Sequence, residues 1–477
     1  MYKLKTDKDI LTTENIVKYI TDYEADTVPM LRKMWHYYIG KNPAILDKRA
    51  PDPNNPDNRT PVSYGRKIIT TFTGYAYRPR YITYKSDNEA YLKELQLTFD
   101  ENNEHIKNSI HGRNTGIFGL SYELLYIDQS ILTGKPEIKF SVIDPREFIL
   151  LYDYSMEPKK KIGIRYYCVD KEAKTYKVVV YYKSSTEYYN GVFDRSGKLT
   201  LTFDKTETNF FDELPVVAYY LGNEIQGLIE PVAPLIDDYD LLISDSMNEF
   251  DRFSHAYLRL VGMSLSDQNK SASAGVFQSA LSLLKRRRVF DQLKDANDVT
   301  FLTKDIPTAY IEFMAGLIRD QIHIQSHVPD LGSSAFKDGV SGVAIQRLMF
   351  DFENVVSNAE AEFDTGLLER IRLITNVYNK QSRAKGVFSD ITISHKRNAP
   401  VNLMEYADIS LKMEQAGFSD YSKVDIWPDD IFPDVEAELE RQKEDREGAI
   451  PDIETIPPNP PGQEENNAVE EGQEERR

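Results

Sequence analysis

The sequence carries one cysteine, Cys168, and no CxxC pair. An internal disulfide is therefore excluded, zinc and thiol-redox chemistry lose their usual ligands, and a reducing, intracellular setting fits. No stretch approaches the ~18 consecutive apolar residues that a membrane-spanning helix needs. The N-terminal MYKLKTDKDILTTENIVKYI places charges every few residues, so it does not read as a secretory leader. Catalytic signatures are missing as well: there is no GxxxxGK(S/T) phosphate loop, no GxGxxG after a strand, no HExxH and no GxSxG. No cofactor and no membrane partner are expected. Positive charge is also scarce, with 58 Lys and Arg against 76 Asp and Glu and a net charge of −18. A surface built mainly to grip nucleic acid or anionic lipid would show the opposite balance.

What is abundant is tyrosine and phenylalanine, 30 and 22 residues beside only 2 tryptophans. Tyrosine has a large apolar body and a polar tip, which suits half-buried strands and broad subunit interfaces, so oligomerisation is expected. A chain of 477 residues is too long for one simple core and implies two or three domains.

Residues 9–39 carry helical spacing, ended by Gly40 and Pro43. APDPNNPDNRTP, 50–61, reads as an exposed connecting loop. Between Tyr81 and Tyr220 one helical segment, 87–115, precedes β-rich runs at 121–128, 137–144, 163–170, 176–183 and 198–203. Thr133-Gly134, Asn190-Gly191 and Ser196-Gly197 are the turn signals between them. This part reads as an α+β domain with an antiparallel sheet. After Pro234 the spacing becomes helical: a helix over 232–262 would span about 45 Å, and another fits 307–327. Between them, 263–304 is polar and rich in Gly and Ser. DLGSSAFKDGVSG, 330–342, reads as a mobile loop, and a proline-free helix over 343–380 would span about 57 Å. Shorter helices fill 401–447, interrupted at Gly417 and at WPDDIFP, 427–433. Residues 452–477 hold eight acids and two arginines, a net of −6 that leaves −12 for the rest, and are expected to be disordered.

Three local constellations are candidates for chemistry. His323 and His327 stand i,i+4 on the 307–327 helix, a spacing that lets two imidazoles share a metal; with no carboxylate between them, two polar residues on one helix face is the better reading. Asp237, Asp238, Asp240 and Asp245 could bind Mg²⁺, yet they alternate with apolar residues as the wet face of an amphipathic helix does. Lys285-Arg286-Arg287-Arg288 is the one concentrated basic run, suited to phosphates or an acidic protein partner, or equally to a solvated helix end.

The order of parts, together with YYIGKNP (37–43), GRNTGIFGLSYELLYID (112–128), VIDPREFILLYD (142–153) and the long phrase from LPVVAYYLG to AYLRLVG (214–262), resembles the portal proteins of tailed bacteriophages, especially those of long-tailed phages of Gram-positive hosts. The resemblance runs from about residue 10 to 440. It implies a mainly helical α+β portal fold: a wing with an antiparallel sheet (1–230), paired stem helices (231–262 and 306–329), a clip (263–305), a tunnel loop (330–342), a long helix (343–381), a helical crown (382–448) and an acidic tail (449–477). It further implies a non-enzymatic dodecameric ring at one capsid vertex, assembled in the host cytoplasm. Its partners would be double-stranded DNA in the channel, the terminase, the major capsid or scaffolding protein and a head-completion connector. On that reading Gly332, Ser333, Ser334, Lys337, Gly339 and Ser341 line the DNA tunnel, and Lys285, Arg286, Arg287 and Arg288 meet clip partners. The competing classes are another virion ring or scaffold protein and a metal-dependent nucleic-acid-processing enzyme using His323 and His327.

Overall fold

The computed structural model describes residues 3–49, 56–129, 136–194, 198–254, 257–260, 299–302, 308–332, 342–380, 386–397, 403–427, 431 and 435–448. They fall into two units, Met1–Ala399 and Pro400–Arg477.

In the larger unit the β-rich sequence forms two main sheets rather than one. Five strands, Phe148–Tyr152, Lys160–Asp170, Thr175–Tyr181, Ser185–Phe193 and Leu199–Thr208, run as an antiparallel meander, and Leu4–Lys5 adds a parallel edge to the first. Val216–Tyr220, Leu120–Gln129 and Pro136–Ile143 make an antiparallel sheet of three. The two sheets share a core in which Phe148 and Leu150 meet Tyr122, Leu124 and Val216, with the Tyr122 and Phe148 rings 4.9 Å apart. Strand residues alternate faces, so the opposite face of each sheet is free to pack on helices.

Asn190-Gly191 does not turn the chain. It lies inside Ser185–Phe193, where Asn190 pairs with Lys177 on one side and Thr202 on the other. A nine-residue strand paired on both edges outweighs a two-residue turn preference. Thr133-Gly134 and Ser196-Gly197 lie outside the described residues.

The helices depart from the periodicity mainly at breaks. The 9–39 stretch is two helices, Thr13–Asp26 and Val28–Tyr38, because Thr27 is followed by a proline in the next first turn. The 87–115 segment is likewise Glu89–Glu101 and Glu104–Phe118, separated by Asn103 at φ 50°, a left-handed conformation that asparagine tolerates. Gly119 ends the second helix at φ 78°; a Cβ there would sit 2.5 Å from the Gln226 nitrogen. Another helix, Tyr64–Ala76, is not signalled by its Ile-, Thr- and Gly-rich sequence, yet Ile68, Ile69 and Phe72 on it are fully buried.

Gly342–Lys380 is one helix of 39 residues. Phe352, Val356, Phe363, Leu367, Ile371 and Ile374 bury its inner stripe. Gly366 permits its close approach to the three-stranded sheet: a Cβ would lie 2.5 Å from the Tyr219 ring. The helix expected over 232–262 stops earlier. Ala233–Ser254 is helical, and Tyr257–Leu260 is a strand paired antiparallel with Val299–Leu302. Tyr257 fits the helical stripe equally well, so the local pattern does not reveal a strand whose partner lies some forty residues on. Residues 386–397, read from sequence with the C-terminal helices, belong to the larger unit: Thr392–His395 pairs with Ile82–Lys85. The smaller unit contributes Leu403–Gln415, Asp420–Asp425 and Val435–Gly448. No helix among the described residues is long and apolar enough to cross a membrane.

Candidate functional site

The two helices that flank the 261–298 segment, Ala233–Ser254 and Thr308–Ser326, pack against each other. Their remaining faces are used differently. On Ala233–Ser254 the polar stripe Asp237, Asp240, Ser244, Asn248 and Asp251 recurs every three or four residues, so all five lie on one side. It does not face water, as the sequence suggested. The segment 58–62 lies along it: Val62 N–H donates to Asp240 at 2.7 Å, Thr60 N–H to Ser244 Oγ at 3.0 Å and Asn58 N–H to Asn248 at 2.6 Å. Asn58 also reaches Asp251 through its amide at 2.6 Å, while Tyr37 and Asn42 donate to Asp237 at 2.7 and 2.9 Å. Asp240 is fully buried, and burial raises its carboxyl despite the bonds from Asn42 and Val62. Asp238 and Asp245 are exposed on other sides, so the four acids do not converge on a cation.

On Thr308–Ser326 the exposed surface carries large apolar residues beside the charged Glu312, Arg319 and Asp320. Tyr310, Phe313, Leu317 and Ile324, spaced by three, four and seven, are 60%, 65%, 45% and 62% exposed. Phe250 at 60% and Met247 at 46% extend the exposed apolar surface on the partner helix. Large side chains exposed in that arrangement are of the kind that marks interaction surfaces.

His323 and His327 are not a metal pair. The helix ends at Ser326, and His327 follows in the left-handed region, φ 56°, with its ring exposed. His323 is buried, donates from Nδ1 to the Val328 carbonyl at 2.8 Å, and places Nε2 4.0 Å from Asp330. Burial lowers its pKa, so the imidazole is neutral near pH 7. No cluster of three or more potential metal ligands occurs among the described residues. Asp330 takes Lys67 Nζ at 2.6 Å and the Gly332 N–H at 3.2 Å, fixing the start of the glycine-rich loop to the Tyr64–Ala76 helix. Of the expected tunnel residues only Gly332 is described. Ser333, Ser334, Lys337, Gly339 and Ser341 lie outside the described residues, as do Lys285, Arg286, Arg287 and Arg288.

Sequence reasoning missed the charged centre of the body. Arg370 on the long helix is fully buried and donates from Nε to Glu123 at 2.7 Å and from Nη1 to Glu104 at 3.0 Å and Asn108 at 2.9 Å. Its guanidinium also lies over the Phe140 ring, 4.8 Å from the centroid. Tyr219 O–H donates to Glu123 at 3.0 Å, and His111 shares Glu123 at 3.2 Å while its other nitrogen meets Ser121 at 2.8 Å. Burial alone would push the Glu123 carboxyl up; Arg370 and His111 outweigh it and hold it down to about 2. Burial also lowers His111, more than Glu123 raises it. The polar groups named here are paired and buried, so the cluster ties helix to sheet rather than presenting a surface to a substrate. Its only sequence signal is that isolated charges fall on otherwise apolar stripes.

Two solved particles contain chains that match this one at low identity. The neck of an empty gene transfer agent particle is 10% identical, covering 82% of this chain and 92% of its own at a TM-score of 0.42. The virion of a native gene transfer agent particle has the same identity and TM-score, covering 83% and 91%. The portal protein of Bacillus phage SPP1 is 21% identical over 380 residues, 74% of this chain and 71% of its own. The family model described as "Phage portal protein, SPP1 Gp6-like" matches residues 17–452. With nearly its whole length inside that match, the chain belongs to the SPP1 Gp6-like phage portal proteins, which are structural components of the virion rather than enzymes.

Proposed function

We propose that copies of this chain close into a dodecameric ring at one capsid vertex, through which double-stranded DNA is packaged and later ejected. The observation that carries the ring is the apolar stripe Tyr310, Phe313, Leu317 and Ile324, left uncovered on a helix whose other side is already packed. A repeated head-to-tail contact covers such a stripe in every copy once the ring closes. Family membership and charge support the conduit: a ring of chains at −18 each would repel phosphate overall and would not hold DNA that must slide. In this reading the segment between the two stem helices, with Lys285, Arg286, Arg287 and Arg288, docks the terminase and then the head-completion connector. Lys337, with Gly332, Ser333, Ser334, Gly339 and Ser341, faces the channel and touches phosphates without reading sequence. The wing meets the capsid or scaffolding protein, and assembly takes place in the host cytoplasm.

Imaging of the purified protein by negative stain tests the ring. Centrally perforated particles of about a dozen subunits are expected, and a homogeneous monomer at high concentration would overturn the proposal. Packaging assays test the channel and the docking end separately. Lys337→Glu should lower packaged or retained DNA with rings intact, and neutralising 285–288 should weaken terminase or connector binding. Unchanged values would remove those assignments.

A further inference from the structure

Val216–Tyr220 is the outer strand of the three-stranded sheet. In its register on Leu120–Gln129, Leu125 N–H donates to the Pro215 carbonyl and Leu221 N–H to the Gly119 carbonyl, so Val217 and Tyr219 are the residues bonded to the neighbouring strand. The backbone groups of Val216, Ala218 and Tyr220 therefore point away from the sheet. Among the described residues one of these groups has a partner: the Val216 carbonyl takes Lys160 Nζ at 2.6 Å. Ala218 and Tyr220 line an open cleft of about 980 Å³, whose walls include Glu362, Thr365, Glu369 and Arg372 of the long helix and Tyr152 and Lys160 of the larger sheet. The four helix residues recur every three or four positions, so one helix face runs along the cleft. Seven cationic side chains and four carboxylates line it, the reverse of the balance of the whole chain. Lys160, Arg372 and Lys380 pair with Glu369, Glu213 and Asp212, and Lys161 pairs with Asp9. The excess rests on Lys3, Lys159 and Lys183, which form no salt bridge among the described residues.

We propose that this open edge takes a fourth strand from a partner protein: an extended acidic peptide lying in the cleft between the long helix and the larger sheet. Two properties select that ligand. The edge presents N–H and C=O groups together, and a peptide backbone satisfies both, whereas a nucleic-acid phosphate offers acceptors alone. The unpaired lysines then favour carboxylates on the side chains that alternate toward them along the added strand. The dimensions agree as well: the five residues of Val216–Tyr220 extend about 17 Å, and the helix from 362 to 376 about 21 Å, room for a peptide of about five residues. The proposal goes beyond the portal reading and does not rest on ring closure.

The test uses the full chain and a fluorescein-labelled peptide of alternating glutamate and valine, read by fluorescence anisotropy and by residue-resolved amide hydrogen exchange. Without peptide, the Ala218 and Tyr220 amides should exchange at least about tenfold faster than those of Val217 and Tyr219, which are already bonded. Saturating peptide should slow the first pair and leave the second unchanged. Methylating every backbone nitrogen of the peptide keeps its charges and removes its donors, and should weaken binding about tenfold or more. Lys3→Glu with Lys183→Glu should weaken it by about the same factor at low salt. Ala218→Pro removes an outward N–H without touching the bonds of Val217 and Tyr219, and should abolish binding with the circular dichroism spectrum unchanged; if that variant fails to fold, the exchange measurement on the parent chain decides. Slow exchange at Ala218 and Tyr220 without peptide, or equal binding of the methylated peptide, overturns the proposal. Binding of a short DNA duplex in the cleft, with no binding of the peptide, also overturns it.

Discussion

The body around Arg370 and the helix Thr308–Ser326 treat their side chains in opposite ways. Around Arg370, groups that are costly to bury are fully buried and fully paired, drawn from two helices and two strands far apart in sequence. On Thr308–Ser326, groups that are favourable to bury are left in water. The first region is complete within one chain; the second, in the proposed ring, is covered by another copy. A subunit built this way folds before it assembles, and its stability and its oligomeric state should respond to different mutations.

The largest expected effect falls on assembly. Tyr310→Asp with Phe313→Asp should convert rings to monomers in sedimentation velocity, with the circular dichroism spectrum and the urea midpoint of the subunit retained. Loss of both fold and ring together would erase the distinction between the regions. Arg370→Ala is the converse. It strands Glu123 and Glu104 in the interior, where breaking a buried pair costs about 3–5 kcal/mol, so urea unfolding should shift by that amount before any change in ring contacts is read. Gly112→Ala probes the same region more gently. The added methyl would start 2.3 Å from the Tyr77 ring, and overpacking of that kind costs about 1–3 kcal/mol.

Acid should also separate the regions. Glu123 is depressed in the folded state, from 4.5 to about 2, so its contribution is complete above the unfolded value and is lost as pH falls from 4.5 toward 2. His111 and His323 are likewise lowered by burial, which adds a milder loss beginning below their ordinary 6.5. Urea midpoints measured from pH 8 to pH 3 should therefore fall slightly below 6.5 and steeply below 4.5. His111→Gln should flatten the upper part, and a midpoint independent of pH would contradict the assigned charges. The smallest effect belongs to Lys67→Ala, which removes an exposed pair with Asp330 and should cost under about 1 kcal/mol. Any larger change would show that the loop anchor matters to the fold itself.

Much of the architecture was legible because it is written in local periodicity. The 39-residue helix emerged within a residue of its observed ends, since no proline interrupts the stripe from Phe352 to Tyr378. Five of the strands were found at close to their observed positions. What escaped depends on partners distant in sequence. Arg370 meets a glutamate 247 positions away, and no local pattern distinguishes it from a solvated helix charge. Phe148–Tyr152 was hidden inside a phrase valued for its resemblance, and Tyr257–Leu260 was absorbed into a helical stripe that it also satisfies. The acids of Ala233–Ser254 were read as a wet face because nothing in the stripe itself announces the backbone laid along it. At the site, His323 and His327, which the sequence reading set down as two polar residues on one helix face rather than a ligand pair, do not share a face for a geometric reason: the helix ends one residue before the second imidazole.

That strapped helix has a mechanical consequence. Asp240, Ser244, Asn248 and Asp251 hold residues 58–62 by hydrogen bonds distributed along more than two turns of the helix. Sliding the helix lengthwise would shear these bonds together rather than one at a time, so a pull along its axis is passed as a unit to the Tyr37 and Asn42 side chains and the helices that carry them. The first long helix is thus riveted at several points to residues 58–62 and to Tyr37 and Asn42, so an axial load would be shared among those contacts.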